Sequence, residues 1–138
     1  MKSNLKSLLV WLVVAYGICL IPSSAFDWVK ALLPSGSEGH STGHTVDLLE
    51  WTAHAILMGG VAFSFFRLFR TSIGWFLSLL LSMFLVFLIA VSIEWLQGLL
   101  PPEFHRGPSN SDVWASLVGA LIGGGLACVV RKEMAGAK

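Results

Sequence analysis

Three observations predict an all-α protein, an integral membrane four-helix bundle. First, residues 7–26, 51–66, 71–93 and 113–130 contain no Asp, Glu, Lys or Arg. A helix rises about 1.5 Å per residue, so about 20 residues cross a hydrocarbon core of roughly 30 Å. Second, 55% of the chain is hydrophobic and 12% charged, where soluble domains carry about 25% charged residues. Third, charge is sorted by side. Lys2, Lys6, Arg67, Arg70, Arg131, Lys132 and Lys138 flank the runs on one side, and Lys30 and Arg106 fall on the other. Basic residues in short loops stay cytoplasmic, which predicts an inner-membrane protein with both termini in the cytoplasm. Asp27, Glu38, Asp47, Glu50, Glu94, Glu103 and Asp112 collect at the outer side, with all four histidines, and only Glu133 is inside.

The spans are expected over residues 7–26, 48–66, 72–100 and 112–130 of one transmembrane domain covering 1–138. The first ends at Pro22. It is read as a retained span; Ser23, Ser24 and Ala25 give the alternative of a cleaved secretory signal. Phe26, Trp28, Val29, Leu32 and Leu33 recur at helical spacing, as in a short interfacial helix. Residues 34–44 read as a glycine- and serine-rich tether, in which His40 and His44 are either a metal-binding pair or solvated side chains. Thr45 is the expected N-cap of the second span, with Asp47 in its first turn. A tight turn follows Arg67 and Arg70, Pro101 and Pro102 stop the third span, and Ser111 or Asn110 caps the fourth. Gly119 with Gly123 and Ala120 with Gly124 place small residues at i, i+4, a surface for helix–helix packing. Cys19 and Cys128 lie near opposite ends of antiparallel spans, too far apart for a disulfide.

Ionisable groups at membrane depth are costly and commonly functional. His54 is 13 residues from Arg67, about 20 Å along the helix, within the outer half of the bilayer. By the same count Asp112 is about 28 Å from Arg131 and Glu94 about 36 Å from Arg70, near the outer boundary. Glu50 and His54 are i, i+4 neighbours, Glu94 and Gln97 are i, i+3, and Asp112 and Ser116 are i, i+4. Helices of a small bundle offering polarity at one height either converge inward or face lipid, and convergence is far cheaper. Each residue has a plainer reading: Glu94 as an interfacial carboxylate, Asp112 as a helix-start charge, His54 as a core histidine satisfied by a neighbour, Arg106 as a neutralising cation. Spacing alone leaves a site and a structural ion network both open.

These residues are similar to the signature of VanZ-like membrane proteins. The resemblance covers about residues 47–124: His54, the E-x-x-Q of Glu94 to Gln97, a proline, Arg106, then Asp112 followed by Gly119 and Gly123. It departs where Glu50 replaces the usual Asp, Trp51 a frequent Lys and Ser116 a common Asn, and where the loop from Pro101 to Arg106 exceeds Pro-x-Arg. The resemblance implies a multi-helix membrane bundle. Its namesake branch is associated with resistance to the glycopeptide teicoplanin, and other members have no settled activity.

Two functions follow as expectations. The first is an accessory role in the cell envelope, with Glu50, Gln97, Arg106 and Ser116 helping to bind a membrane lipid headgroup or lipid-linked envelope precursor. Arg106 would anchor an anion through its planar fork. The second is an intramembrane hydrolase or transferase in which His54, Glu94 and Asp112 are catalytic, His54 as general base or all three as zinc or manganese ligands. Against the enzyme, no nucleophile-containing motif such as G-x-S-x-G occurs, and no H-E-x-x-H. No cofactor and no nucleic-acid partner is expected, and no metal outside that second alternative. A transporter would need polar residues in the inner half of the spans, where the sequence has few.

Overall fold

The computed structural model of the chain describes residues 2–21, 41–101 and 109–136. They form four helices: α1 (Lys2–Cys19), α2 (Ser41–Ile73), α3 (Trp75–Gly98) and α4 (Asn110–Gly136). Three are long and apolar enough to cross a membrane, over Glu50–Ile73, Trp75–Gly98 and Asn110–Val130. The fourth is a shorter apolar helix over Asn4–Cys19. The described residues are all-helical, and the chain is a multi-pass membrane protein.

Helix limits differ from the sequence expectation in ways local chemistry explains. α1 stops at Cys19 rather than running to residue 26. Pro22 disfavours helical geometry at the residue before it and donates no N–H. The last α-type bond is Leu20 N–H to Tyr16 O at 3.1 Å, and the chain then tightens, Ile21 N–H binding Ile18 O at 3.2 Å. α2 begins at Ser41, so His44 lies within a helix and not in a tether, and Thr45 is not its cap. α2 also continues past Phe66 through Arg67 and Arg70, and the basic residue in its last turn suits the negative end of the helix dipole. The turn to α3 falls at Gly74, whose φ of 77° and ψ of 169° lie in a region open only to glycine. Ser78 N–H and Oγ both bond to the Gly74 carbonyl and open α3. The expected interfacial helix over 26–33, His40, Glu103 and His105 lie outside the described residues.

α3 shows the solvent the fold is built for. Its buried residues are Ser78, Ser82, Val86, Ala90, Ile93, Glu94 and Gln97. Its exposed face carries Trp75, Phe76, Leu80, Phe84, Leu88 and Trp95. Small and polar side chains inside with large apolar ones outside invert a soluble helix, and they suit packing among lipid tails. Ser82 Oγ turns back to Ser78 O at 2.6 Å, so its hydroxyl is satisfied without a partner helix.

α2 is the central helix. Leu57, Met58, Val61 and Ala62 join Leu8, Ala15 and Cys19 of α1, Val86 and Ile93 of α3, and Ala120 of α4 in one core. The closest approach is between α2 and α4. A Cβ on Gly119 would collide with the backbone of Ala55, and one on Gly123 with the backbone of Gly59. Small residues at these crossings let backbones approach and gain dispersion where no hydrophobic force separates protein from lipid. The small-residue face of α4 is thus used within the chain. α1 is held by Ser7 Oγ with Ser64 Oγ at 3.1 Å and Tyr16 Oη with Ser92 Oγ at 2.6 Å.

Gly119→Ala is expected to destabilise the fold by about 1–3 kcal/mol, the cost of overpacking. Gly125→Ala, whose Cβ would meet nothing within 4 Å, is expected to be neutral or stabilising by up to about 1 kcal/mol. Reversible unfolding in bicelles measures both, and equal effects at the two glycines would contradict the crossing.

Candidate functional site

At the end of the bundle where α3 gives way to α4, three helices each contribute one ionisable side chain. α2 places His54 there, α3 Glu94 and α4 Asp112. His54 and Glu94 are 4% and 7% exposed, fully inside the protein. His54 Nε2 lies 3.6 Å from Asp112 Oδ2, with the Asp112 side chain 15% exposed. One nitrogen or oxygen of each residue lies within 4.8 Å of the others. Convergence was the cheaper of the two arrangements open to the sequence, and it is the arrangement adopted.

Local folding explains how each group is aimed. Ser109 precedes the first residue of α4, and its carbonyl accepts the Asp112 N–H at 3.2 Å. The run from Ser109 to Asp112 matches a capping box, in which the acid at the third helical position reaches back to the cap's own N–H. Here Glu94 of α3 takes that N–H instead, Ser109 N to Glu94 Oε2 being 2.5 Å. Asp112 remains in the first turn of α4, where a negative charge suits the helix dipole, and its carboxylate approaches His54. Glu94 stands near the negative end of its own helix, and the Ser109 N–H is the donor that offsets that position. Ser109, rather than the expected Ser111 or Asn110, is the residue before α4. The signal was present in its spacing to Asp112.

The remaining candidates divide. Gln97 is buried, and its Nε2 donates to the Cys19 carbonyl at 2.8 Å, tying α3 to the end of α1. Ser116 is also buried and donates to the Asp112 carbonyl at 2.7 Å, one turn back along α4. Both hydroxyl and amide donors thus act on the backbone that frames the cluster. Glu50 is half-buried one turn from His54 and is not among the groups gathered within 4.8 Å. Arg106 lies outside the described residues, as does the side chain of Asp47.

α1, α2 and α4 line an open groove of about 480 Å³. Trp11, Trp51, Ala55, Ile56, Gly60 and Ile122 are among its lining residues. It follows the glycine crossing, so the same small residues that let α2 and α4 meet also leave an apolar channel along them.

No family model, curated protein or solved structure matches this chain. Two carboxylates and an imidazole, shielded from water on rigid helices, can hold a cation, accept hydrogen bonds from a ligand, or pass a proton.

Removing the Gln97 donor tests the frame. Gln97→Leu is expected to cost about 0.5–2 kcal/mol, the range of interhelical hydrogen bonds in membranes. It should also speed thiol labelling at Cys19, buried at 2% exposure, in a Cys128→Ser background. Labelling at the parent rate would mean that α1 is held without the Gln97 bond.

Proposed function

We propose that this chain is a VanZ-like accessory protein of the bacterial cell envelope that binds the headgroup of a membrane lipid or lipid-linked envelope precursor. In this reading it lies in the inner membrane with both termini cytoplasmic, and the cluster faces outward. The observation that carries it is the meeting of His54, Glu94 and Asp112 from separate helices at one bundle end. Two acids and a histidine form an acceptor-rich set, so the part of the headgroup they take is a donor, a hydroxyl or an ammonium. Arg106, three residues before Ser109 in the chain, supplies the matching cation for a phosphate or carboxylate. The apolar groove suits an acyl or prenyl chain attached to that headgroup. The link to teicoplanin-type resistance comes with the resemblance and belongs to the same proposal.

The 3.6 Å approach of His54 Nε2 to Asp112 Oδ2 favours a second reading, an intramembrane hydrolase or transferase on a lipid-linked substrate. An acid beside an imidazole orients it and stabilises its protonated form, which suits a general base. Headgroup binding would then be the first step of the reaction.

Native mass spectrometry of protein in nanodiscs of mixed envelope lipids tests the binding reading. One headgroup class should be retained preferentially. Asp112→Asn, Glu94→Gln and Arg106→Ala should each reduce that retention about tenfold, the effect of losing about 1.4 kcal/mol. Retention equal across headgroups, or unchanged in all three variants, would end the proposal. Turnover of the retained lipid, lost in His54→Ala, would select the enzyme.

A further inference from the structure

His54, Glu94 and Asp112 each offer a nitrogen or oxygen within 4.8 Å of the others, and His54 and Glu94 are buried. Removing an ion from water costs several kcal/mol even after relaxation, and two acids in one site repel each other. A divalent cation balances both carboxylates at once and leaves the imidazole neutral, its ligating form.

The geometry fits that occupant. Zinc bound to nitrogen and oxygen has ligand distances near 2.1 Å, so neighbouring ligand atoms of a tetrahedron sit about 3.4 Å apart. His54 Nε2 and Asp112 Oδ2 are already 3.6 Å apart. All three ligand atoms lie within 4.8 Å of one another. The surroundings are also those of a ligand set. Carboxylates that bind metals are held by outer hydrogen bonds, and Glu94 Oε2 takes the Ser109 N–H. The Ser116 hydroxyl fixes the turn carrying Asp112, and the glycine crossing holds α2 and α4 in register.

We propose that His54, Glu94 and Asp112 bind a divalent transition-metal ion of the zinc or manganese class. One nitrogen and carboxylate oxygens suit those ions, manganese preferring the oxygens and zinc the imidazole. Three protein ligands leave a coordination position open, as in metal sites that act on a substrate. That position takes an oxygen of a phosphate or carboxylate. The bound metal thereby turns an acceptor-rich site into one that receives an anion. The inference rests on the same three side chains as the headgroup reading, and the two are measured separately.

The experiment is titration of purified, tag-free protein with zinc and with manganese, followed by calorimetry and elemental analysis after dialysis. The wild type should bind one of the two metals stoichiometrically. Losing an outer hydrogen bond typically weakens such sites 10–100-fold, so His54→Ala, Glu94→Gln and Asp112→Asn should each weaken binding at least about 100-fold. The His40→Ala, His44→Ala double variant should bind like wild type. Absence of stoichiometric binding, or binding that survives His54→Ala and disappears in the double variant, overturns the proposal. Should a site variant fail to fold, cobalt titration of the wild type decides: visible bands of four-coordinate cobalt that zinc displaces support the site, and a featureless spectrum overturns it. Lipid retention is measured on the same samples with and without metal. Headgroup binding with no metal uptake overturns this inference alone, and metal uptake with no headgroup preference overturns the headgroup reading alone.

Discussion

The backbone contact of α2 with α4 sets the rest of the bundle. Gly119 and Gly123 each face a backbone segment of α2, at Ala55 and at Gly59, with no room for a Cβ. In lipid this closeness is favoured by dispersion rather than by expulsion of water. It has a direct chemical consequence. His54 is the residue before Ala55, and Asp112 lies two turns before Gly119 on the same helix. Once the glycines meet their partners, the imidazole and the carboxylate are brought within 3.6 Å. Packing and polarity are two ends of one crossing.

The second support comes from the short connection between α3 and α4. Glu94 is near the end of α3 and Ser109 is the residue before α4, and their hydrogen bond joins the two helices across the loop. The bond leaves Asp112 to face α2 and draws Glu94 into the same group. Gln97 extends this frame to α1 by way of the Cys19 carbonyl. A polar cluster inside a membrane bundle is thus framed by bonds from Gln97, Glu94 and Ser116 to backbone groups. Such preorganisation keeps a site ready for a ligand without large rearrangement.

Much of this was legible in the sequence, for physical reasons that differ by element. The membrane spans follow from uncharged runs of spanning length, and the convergence of His54, Glu94 and Asp112 follows from polar residues toward the outer ends of three spans. Counts from the arginines spread them over about 20–36 Å, and the turn at Gly74, 20 residues from both His54 and Glu94, brings those two level. Limits of helices were harder. Sequence reading stopped α2 at Phe66 because of Arg67 and Arg70, but long basic side chains reach the interface from within a helix, and the break waits for Gly74. At the other end, glycine and serine near residue 41 suggested a tether, yet the helix starts there. The division of labour among polar side chains was not legible. Gln97 and Ser116 read as ligand-binding groups because they lie at the right height, and only coordinates show their donors turned to backbone carbonyls. Ser109 was legible through its spacing to Asp112, although the role of cap partner passed to Glu94 from another helix, which no local pattern encodes.

The central claim is that one imidazole and two acids from separate helices share a site. Solid-state NMR of protein in bilayers addresses it directly, with the histidines labelled with nitrogen-15 and His40, His44 and His105 replaced by Asn. The account predicts that the His54 ring nitrogens shift on both Asp112→Asn and Glu94→Gln, and stay in place on Glu133→Gln at the far end of α4. Ring resonances indifferent to both acids would place the histidine elsewhere and contradict the account.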